Sequence, residues 1–284
     1  MKLIRYGNIG EEKPGILIDE KRFDTSPFVK DYNEEFFETN GLEKLEAIVK
    51  ENTLSPVAES ERWGSPVARP SKILCIGLNY RAHAEETGAA IPSEPVIFMK
   101  STTSLAGPFD DVIIPKNSEK TDWEVELAIV IGKYTSYVDE KDAMDYVAGY
   151  VLHNDVSERA FQLERNGTWD KGKGCNTFAP LGPFMASKDE ITDPHSLKLW
   201  LKLNGKIVQD SSTADFIFNV PFMISYVSQF MALLPGDVIS TGTPQGVGMG
   251  IKPLPVYLKA GDVMELGIDG LGSSKQKAVA YQKH

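Results

Sequence analysis

The sequence predicts an α+β fold that is mainly β. Three observations carry this prediction. Val- and Ile-rich runs broken by Pro, Gly and Asp recur from residue 73 onward. The segment SLKLWLKLNG (196–205) alternates Leu or Trp with other residues at period two. Helical patterning is confined to a few short stretches. The 284 residues are 42% apolar and 25% charged, ordinary for a globular chain able to bury a core without cross-links.

The first seventy residues read differently from the rest. KLIRYG and PGILID have the texture of short strands, and NEEFFETNGLEKLEAIVKENT is an acidic helical stretch. SPVAESERWGSPVARPSK is rich in Ser, Pro and charge and reads as a linker. These features predict a small N-terminal domain with its linker over residues 1–69 and a larger domain over 70–284. In the larger part ILCIGLNY predicts a strand ending in a turn, and RAHAEETG a short helix stopped by Gly88. PVIFMK, DVIIP, WEVELAIVIG and MDYVAGYVLHNDVS predict strands, and WDKGKGCNTFAPLGP a glycine-spaced loop. Asn204-Gly205 signals a hairpin. FMISYVSQFMALL has helical character, and LPGDVIS and KAGDVMELGI each enter a strand through Gly-Asp.

Composition excludes several classes. The net charge is −10 and no Lys/Arg cluster occurs, which argues against nucleic acid as a partner. LAIVI, the longest aliphatic run near the centre, is far too short to span a bilayer, and the opening MKLIRYGNIGEEKPG lacks the features of a signal peptide. Cys75 and Cys175 are the only cysteines, so a reducing cytoplasm is expected and a disulfide framework is not.

The stretch TDWEVELAIVIG (121–132) holds an electrostatic problem. In a strand, Glu124 and Glu126 project to one face, followed by Ala128 and Val130, while Val125, Leu127, Ile129 and Ile131 line the other. Two neighbouring carboxylates in an apolar strand need exposure, a shared proton or a cation. YVLHNDVS supplies a third carboxylate, Asp155, where the next strand leaves the sheet. Three carboxylates suit a hard cation such as Mg²⁺ or Mn²⁺ and, without Cys or His at ligand spacing, suit zinc less well.

Among the four histidines, His83, His153, His195 and His284, one has a carboxylate at helical spacing. His83 and Glu86 share a helix face, so Glu86 can orient an imidazole that takes a proton from water; the same spacing also suits a surface ion pair. Lys171 and Lys173 flank Gly172 on the expected loop and could reach an anion or remain solvated. STGTPQGVGMG (240–250) is neither a phosphate-binding loop nor a dinucleotide fingerprint, but its backbone N–H groups and threonines can meet a carboxylate.

Taken together, GLNYRAHAEETG, EPVIFMKSTTSLAGP, SEKTDWEVELAIVIG, HNDVSERAFQ, KGKGCNTFAPLGP and PGDVISTGTPQGVG resemble the fumarylacetoacetate hydrolase family, from about Ile73 to the C-terminus. The start resembles the family's bacterial branch with a small N-terminal domain, which includes 2,4-diketo-3-deoxy sugar acid hydrolases and proteins labelled ureidoglycolate lyase. The resemblance implies a mixed β-roll catalytic domain, a homodimer, and Mg²⁺ or Mn²⁺ held by Glu124, Glu126 and Asp155. It also implies catalytic roles for His83, Glu86 and Lys173, and substrate contacts from Arg159, Gln162, Gly242 and Thr243. The implied activity is hydrolysis of a C–C bond in a 2,4-dioxo acid of the acylpyruvate type, releasing pyruvate or a related 2-oxo acid. A decarboxylase, isomerase or lyase using the same site is the alternative enzyme, and a metabolite-binding protein the non-enzymatic one.

Overall fold

The computed structural model describes residues 1–88 and 90–283; His284 lies outside them. The chain opens with an antiparallel meander of β1 (Lys2–Tyr6), β2 (Lys13–Ile18) and β3 (Lys21–Asp24). The acidic helical stretch forms two helices, α1 (Glu34–Glu38) and α2 (Gly41–Glu51). They separate at Asn40, whose φ of 56° lies in the left-handed region that asparagine tolerates. The Ser- and Pro-rich segment is fastened to the body. It carries β4 (Trp63–Gly64), paired with β1, and its carbonyls at Ala58, Glu59 and Glu61 accept bonds from Arg22.

Then follow β5 (Ile73–Gly77), α3 (Arg81–Thr87), β6 (Val96–Lys100), β7 (Leu105–Ala106), β8 (Val112–Ile114) and β9 (Thr121–Asp122). The central strands are β10 (Val125–Ile131) and β11 (Val147–Asn154). After β12 (Ser157–Glu158), α4 (Arg159–Leu163) and α5 (Asp170–Lys173) comes β13 (Ala179–Ser187). The expected hairpin is formed by β14 (Lys198–Leu203) and β15 (Lys206–Ser212), turning through Asn204 and Gly205, both at positive φ. Helix α6 (Val220–Ser228), β16 (Val238–Ser240), β17 (Val263–Ile268) and β18 (Gly272–Ala280) complete the chain.

Two large sheets result, in line with an α+β fold that is mainly β. One runs β3-β2-β1-β13-β11-β10-β16-β5-β6, and the other β15-β14-β17-β18-β8. The first is mixed: β5 and β16 are parallel, whereas β10 is antiparallel to both β16 and β11. β10 is buried on both faces. Leu127, Ile129 and Ile131 join a core with Leu199, Leu201, Met264 and Leu266. Ala128 and Val130 join another with Ile73, Cys75, Val238 and the N-terminal Leu3, Phe36 and Leu45.

One expectation is corrected. WDKGKGCNTFAPLGP is not a loop throughout: it contains α5 and enters β13, a buried nine-residue strand between β1 and β11. The β11–β13 register shifts between Val151↔Met185 and His153↔Leu181. Pro183 falls in that irregularity, where a missing N–H costs no ladder bond.

Candidate metal centre and catalytic pair

The sheet order gathers the site. With β5 and β16 parallel and β10 antiparallel to β16, the C-terminal ends of β5, β16 and β11 and the N-terminal end of β10 share one end of the sheet. Helix α3, the 241–250 loop, the Glu-x-Glu segment and Asp155 all emerge there. Glu126 lies within β10, while Glu124 immediately precedes it, a correction to the expectation of one strand holding both. Backbone and side-chain bonds fix Glu124 instead. Its N–H donates to Asn154 Oδ1 at 3.2 Å, and its carbonyl accepts from Asp155 N at 2.9 Å. Glu124, Glu126 and Asp155 are all buried, and one oxygen from each lies within 4.8 Å of the others.

Three buried cations surround them. Lys173 Nζ lies 2.6 Å from Glu124 Oε2 and 2.7 Å from Asp155 Oδ2. Lys100 Nζ lies 2.5 Å from Asp155 Oδ1. Arg159 NH2 lies 2.6 Å from Glu124 Oε1 and its Nε 2.9 Å from Asp122 Oδ2. Burial opposes ionisation of Asp155, but Lys100 and Lys173 outweigh it and hold the carboxyl well below the usual range. Among the described residues Glu126 has only neutral donors, Ser240 Oγ at 2.5 Å and Gly242 N at 2.9 Å. Burial, then the charges of Asp155 and Glu124, push its carboxyl well above the usual range.

Four carboxyl groups, counting Asp122, thus meet three cations, and Glu126 is the one left without a countercharge among the described residues. That imbalance, with an all-oxygen donor set, fits a divalent hard cation. Glu124, Glu126 and Asp155 would hold it.

His83 and Glu86 are enclosed rather than a solvated surface pair. His83 Nδ1 is 3.3 Å from Glu86 Oε2, and the imidazole is buried. Glu86 also accepts the Gly246 N–H at 3.0 Å, and a Cβ on Gly250 would stand 2.5 Å from its carboxyl carbon. Asn79, just before α3, ties the helix to the same loop by donating to the Thr241 carbonyl at 2.8 Å.

The other anticipated residues sit around this core. Arg159 donates to Gln162 Oε1 at 3.1 Å, and both are buried. The Gly242 N–H is spent on Glu126, and Thr243 Oγ1 donates to the Val125 carbonyl while accepting from Gln209. Lys171 is exposed and bonds the Arg165 carbonyl. His195 accepts the Val220 N–H at the start of α6. Cys75 and Cys175 form no disulfide. His153 is buried, which holds its imidazole down at about 3. Lys100, Asp122, Asn154 and Ser240 were not singled out, although each lies in a segment that drew attention; the partners that give them their roles are remote in sequence. A groove of about 1450 Å³ is lined by Arg5, Glu12, Arg62 and Asp110 among others and by none of the three carboxylates. Charge and geometry, rather than cavity size, locate the site.

The family model for the fumarylacetoacetate (FAA) hydrolase C-terminal domain matches residues 72–279. The chain belongs to this family, a superfamily of hydrolases and isomerases. It is 53% identical over 277 residues, 97% of this chain and 98% of the other, to a Burkholderia multivorans protein whose name offers hydrolase as a provisional assignment. It is also similar to 5-carboxymethyl-2-hydroxymuconate delta-isomerase from Mycobacterium smegmatis, with 31% identity, a TM-score of 0.78 and full coverage of both chains. Maleylpyruvate hydrolase from Sphingobium sp. SYK-6, in complex with manganese(II) and pyruvate, aligns at 28% identity and a TM-score of 0.81, covering 99% of this chain and all of the other. No described helix is long and apolar enough to cross a membrane.

Proposed function

We propose that this chain is a divalent-metal-dependent hydrolase that cleaves a C–C bond of a 2,4-dioxo acid of the acylpyruvate type, releasing pyruvate or a related 2-oxo acid and a carboxylate. The observation that carries the reading is the convergence of three buried carboxylates at the sheet end where the enclosed His83–Glu86 pair also lies. The manganese and pyruvate in the Sphingobium hydrolase structure support it. Mg²⁺ or Mn²⁺ is the cation of this reading, in a cytoplasmic homodimer.

A bound divalent ion supplies positive charge to the carboxylate and 2-oxo oxygens of the substrate. Glu86 orients His83, and the imidazole takes a proton from water. The water oxygen bonds to C4, the C3–C4 bond breaks, and its electron pair passes to the 2-oxo acid fragment. Lys173 meets the negative charge that develops there. The proton taken by His83 returns to C3. Arg159, locked to Asp122 and Glu124, keeps Glu124 oriented, and Gln162 steadies Arg159.

The test is a panel of 2,4-dioxo acids and oxaloacetate with Mn²⁺, following pyruvate release. Acylpyruvates should be cleaved, and His83→Ala should lower kcat by about 10²–10⁴-fold. The similarity to an isomerase keeps a second reading in view. Isomerisation or decarboxylation needs no attacking water, so near-normal turnover in His83→Ala would favour it over hydrolysis.

A further inference from the structure

His153 and Ser240 lie on the strands flanking β10 and share a face with Glu126. His153 is the cross-strand partner of Glu126, and Ser240 is the partner of Ala128, two residues along. The imidazole reaches over β10 to meet the hydroxyl, with Nδ1 2.6 Å from Ser240 Oγ. Ser240 in turn donates to Glu126 Oε2 at 2.5 Å. A hydroxyl has one proton to give. With that proton on Glu126, Ser240 accepts from His153, which fixes the imidazole proton on Nδ1. His153 Nε2 has no hydrogen-bond partner among the described residues. The imidazole therefore has a single polar contact, the bond to Ser240. Burying an unpaired nitrogen is unfavourable where an apolar side chain would pack without that cost. The bond to Ser240 is what a histidine gains at this position.

The consequence falls on Glu126. Both of its donors, Ser240 Oγ and Gly242 N, meet the same oxygen, Oε2. We propose that His153, acting through Ser240, is a positioning residue that holds Glu126 as a one-oxygen ligand and so favours small six-coordinate ions over Ca²⁺. The inference rests on the metal-centre reading above. Mg²⁺ takes near-octahedral oxygen ligands at about 2.0–2.1 Å, whereas Ca²⁺ takes about 6–8 oxygens, with carboxylates often contributing both of theirs. A carboxylate whose second oxygen is pinned by two donors resists the second mode.

Calorimetric titration of the chain with Mn²⁺ and with Ca²⁺ tests this without reference to turnover. The wild type should bind Mn²⁺ more tightly than Ca²⁺. In Ser240→Ala and His153→Leu that preference should shrink about tenfold, the lower end of what outer-sphere partners of ligands cost. His153→Asn can place an amide N–H near Nδ1 and should recover the preference. A preference unchanged in Ser240→Ala, including one where both ions weaken equally, overturns the proposal. If His153→Leu fails to fold, Ser240→Ala decides alone. If the wild type takes up neither ion, the metal-centre reading itself is overturned and this inference with it.

Discussion

Glu126 is only 2% exposed, stands beside two other carboxylates, and is touched by no cation among the described residues. Lys173, Lys100 and Arg159 are all committed to Glu124, Asp155 and Asp122. An uncompensated buried charge opposes folding. Replacing Glu126 by Gln keeps the shape and the acceptor for Ser240 and Gly242 while deleting the charge. In a chelator-treated sample Glu126→Gln should therefore melt above the wild type, as read by calorimetry or circular dichroism. A lower melting temperature would mean that the carboxylate is already compensated. At this scale the sequence was partly legible. The Glu-x-Glu spacing and the nearby Asp155 announced a charge problem, and the His83–Glu86 spacing announced a pair. The answers to both lay in contacts the sequence does not encode locally. Lys100 reaches Asp155 across 55 residues, and Gly246 reaches Glu86 across 160.

Among the elements, the turn leaving β16 shows how backbone conformation serves the site. Gly242 has φ of +96°, and a Cβ there would lie 2.9 Å from both the Asn79 Cβ and the Ile76 carbonyl. Its N–H is one of the two donors to Glu126. Gly242→Ala should cost about 1–3 kcal/mol of stability, the usual range for a non-glycine residue forced into such a conformation. Denaturant unfolding measures this, and a loss near zero would show that the turn relaxes freely. Period-two alternation and turn residues made β5, β10, β14 and the Asn204–Gly205 hairpin legible. β13 was not, because its two prolines and a glycine read as a breaker. The fold tolerates them through a register shift beside β11. The break between α1 and α2 falls at Asn40-Gly41, a turn dipeptide masked by the acidic helical composition on either side of it.

On the scale of the whole molecule, the mixed sheet brings residues from Asn79 to Gly250 to one end. The N-terminal meander joins the same sheet through β1 and β13, and its side chains share a core with β10 and β11. Composition and texture predicted a mainly-β α+β chain, but apart from the β14–β15 hairpin no local signal announces which strands become neighbours. An ion bound only by the assembled site stabilises the entire fold. At about 100 times its dissociation constant the gain is about 2.7 kcal/mol. For a chain of this size that corresponds to a rise of about 4–5 °C in melting temperature. Thermal melts with and without Mn²⁺ check this, and an unchanged midpoint at saturating ion would speak against a site made by folding.

The central claim is that Glu124, Glu126 and Asp155 bind one divalent cation. Titration calorimetry of Mn²⁺ into the chelator-stripped wild type and into Glu126→Gln tests it most directly. The wild type should take up one ion per chain, and Glu126→Gln should bind at least about tenfold more weakly, since loss of a ligand exceeds loss of an outer-sphere partner. No uptake by the wild type, or equal affinity in the two proteins, would contradict it.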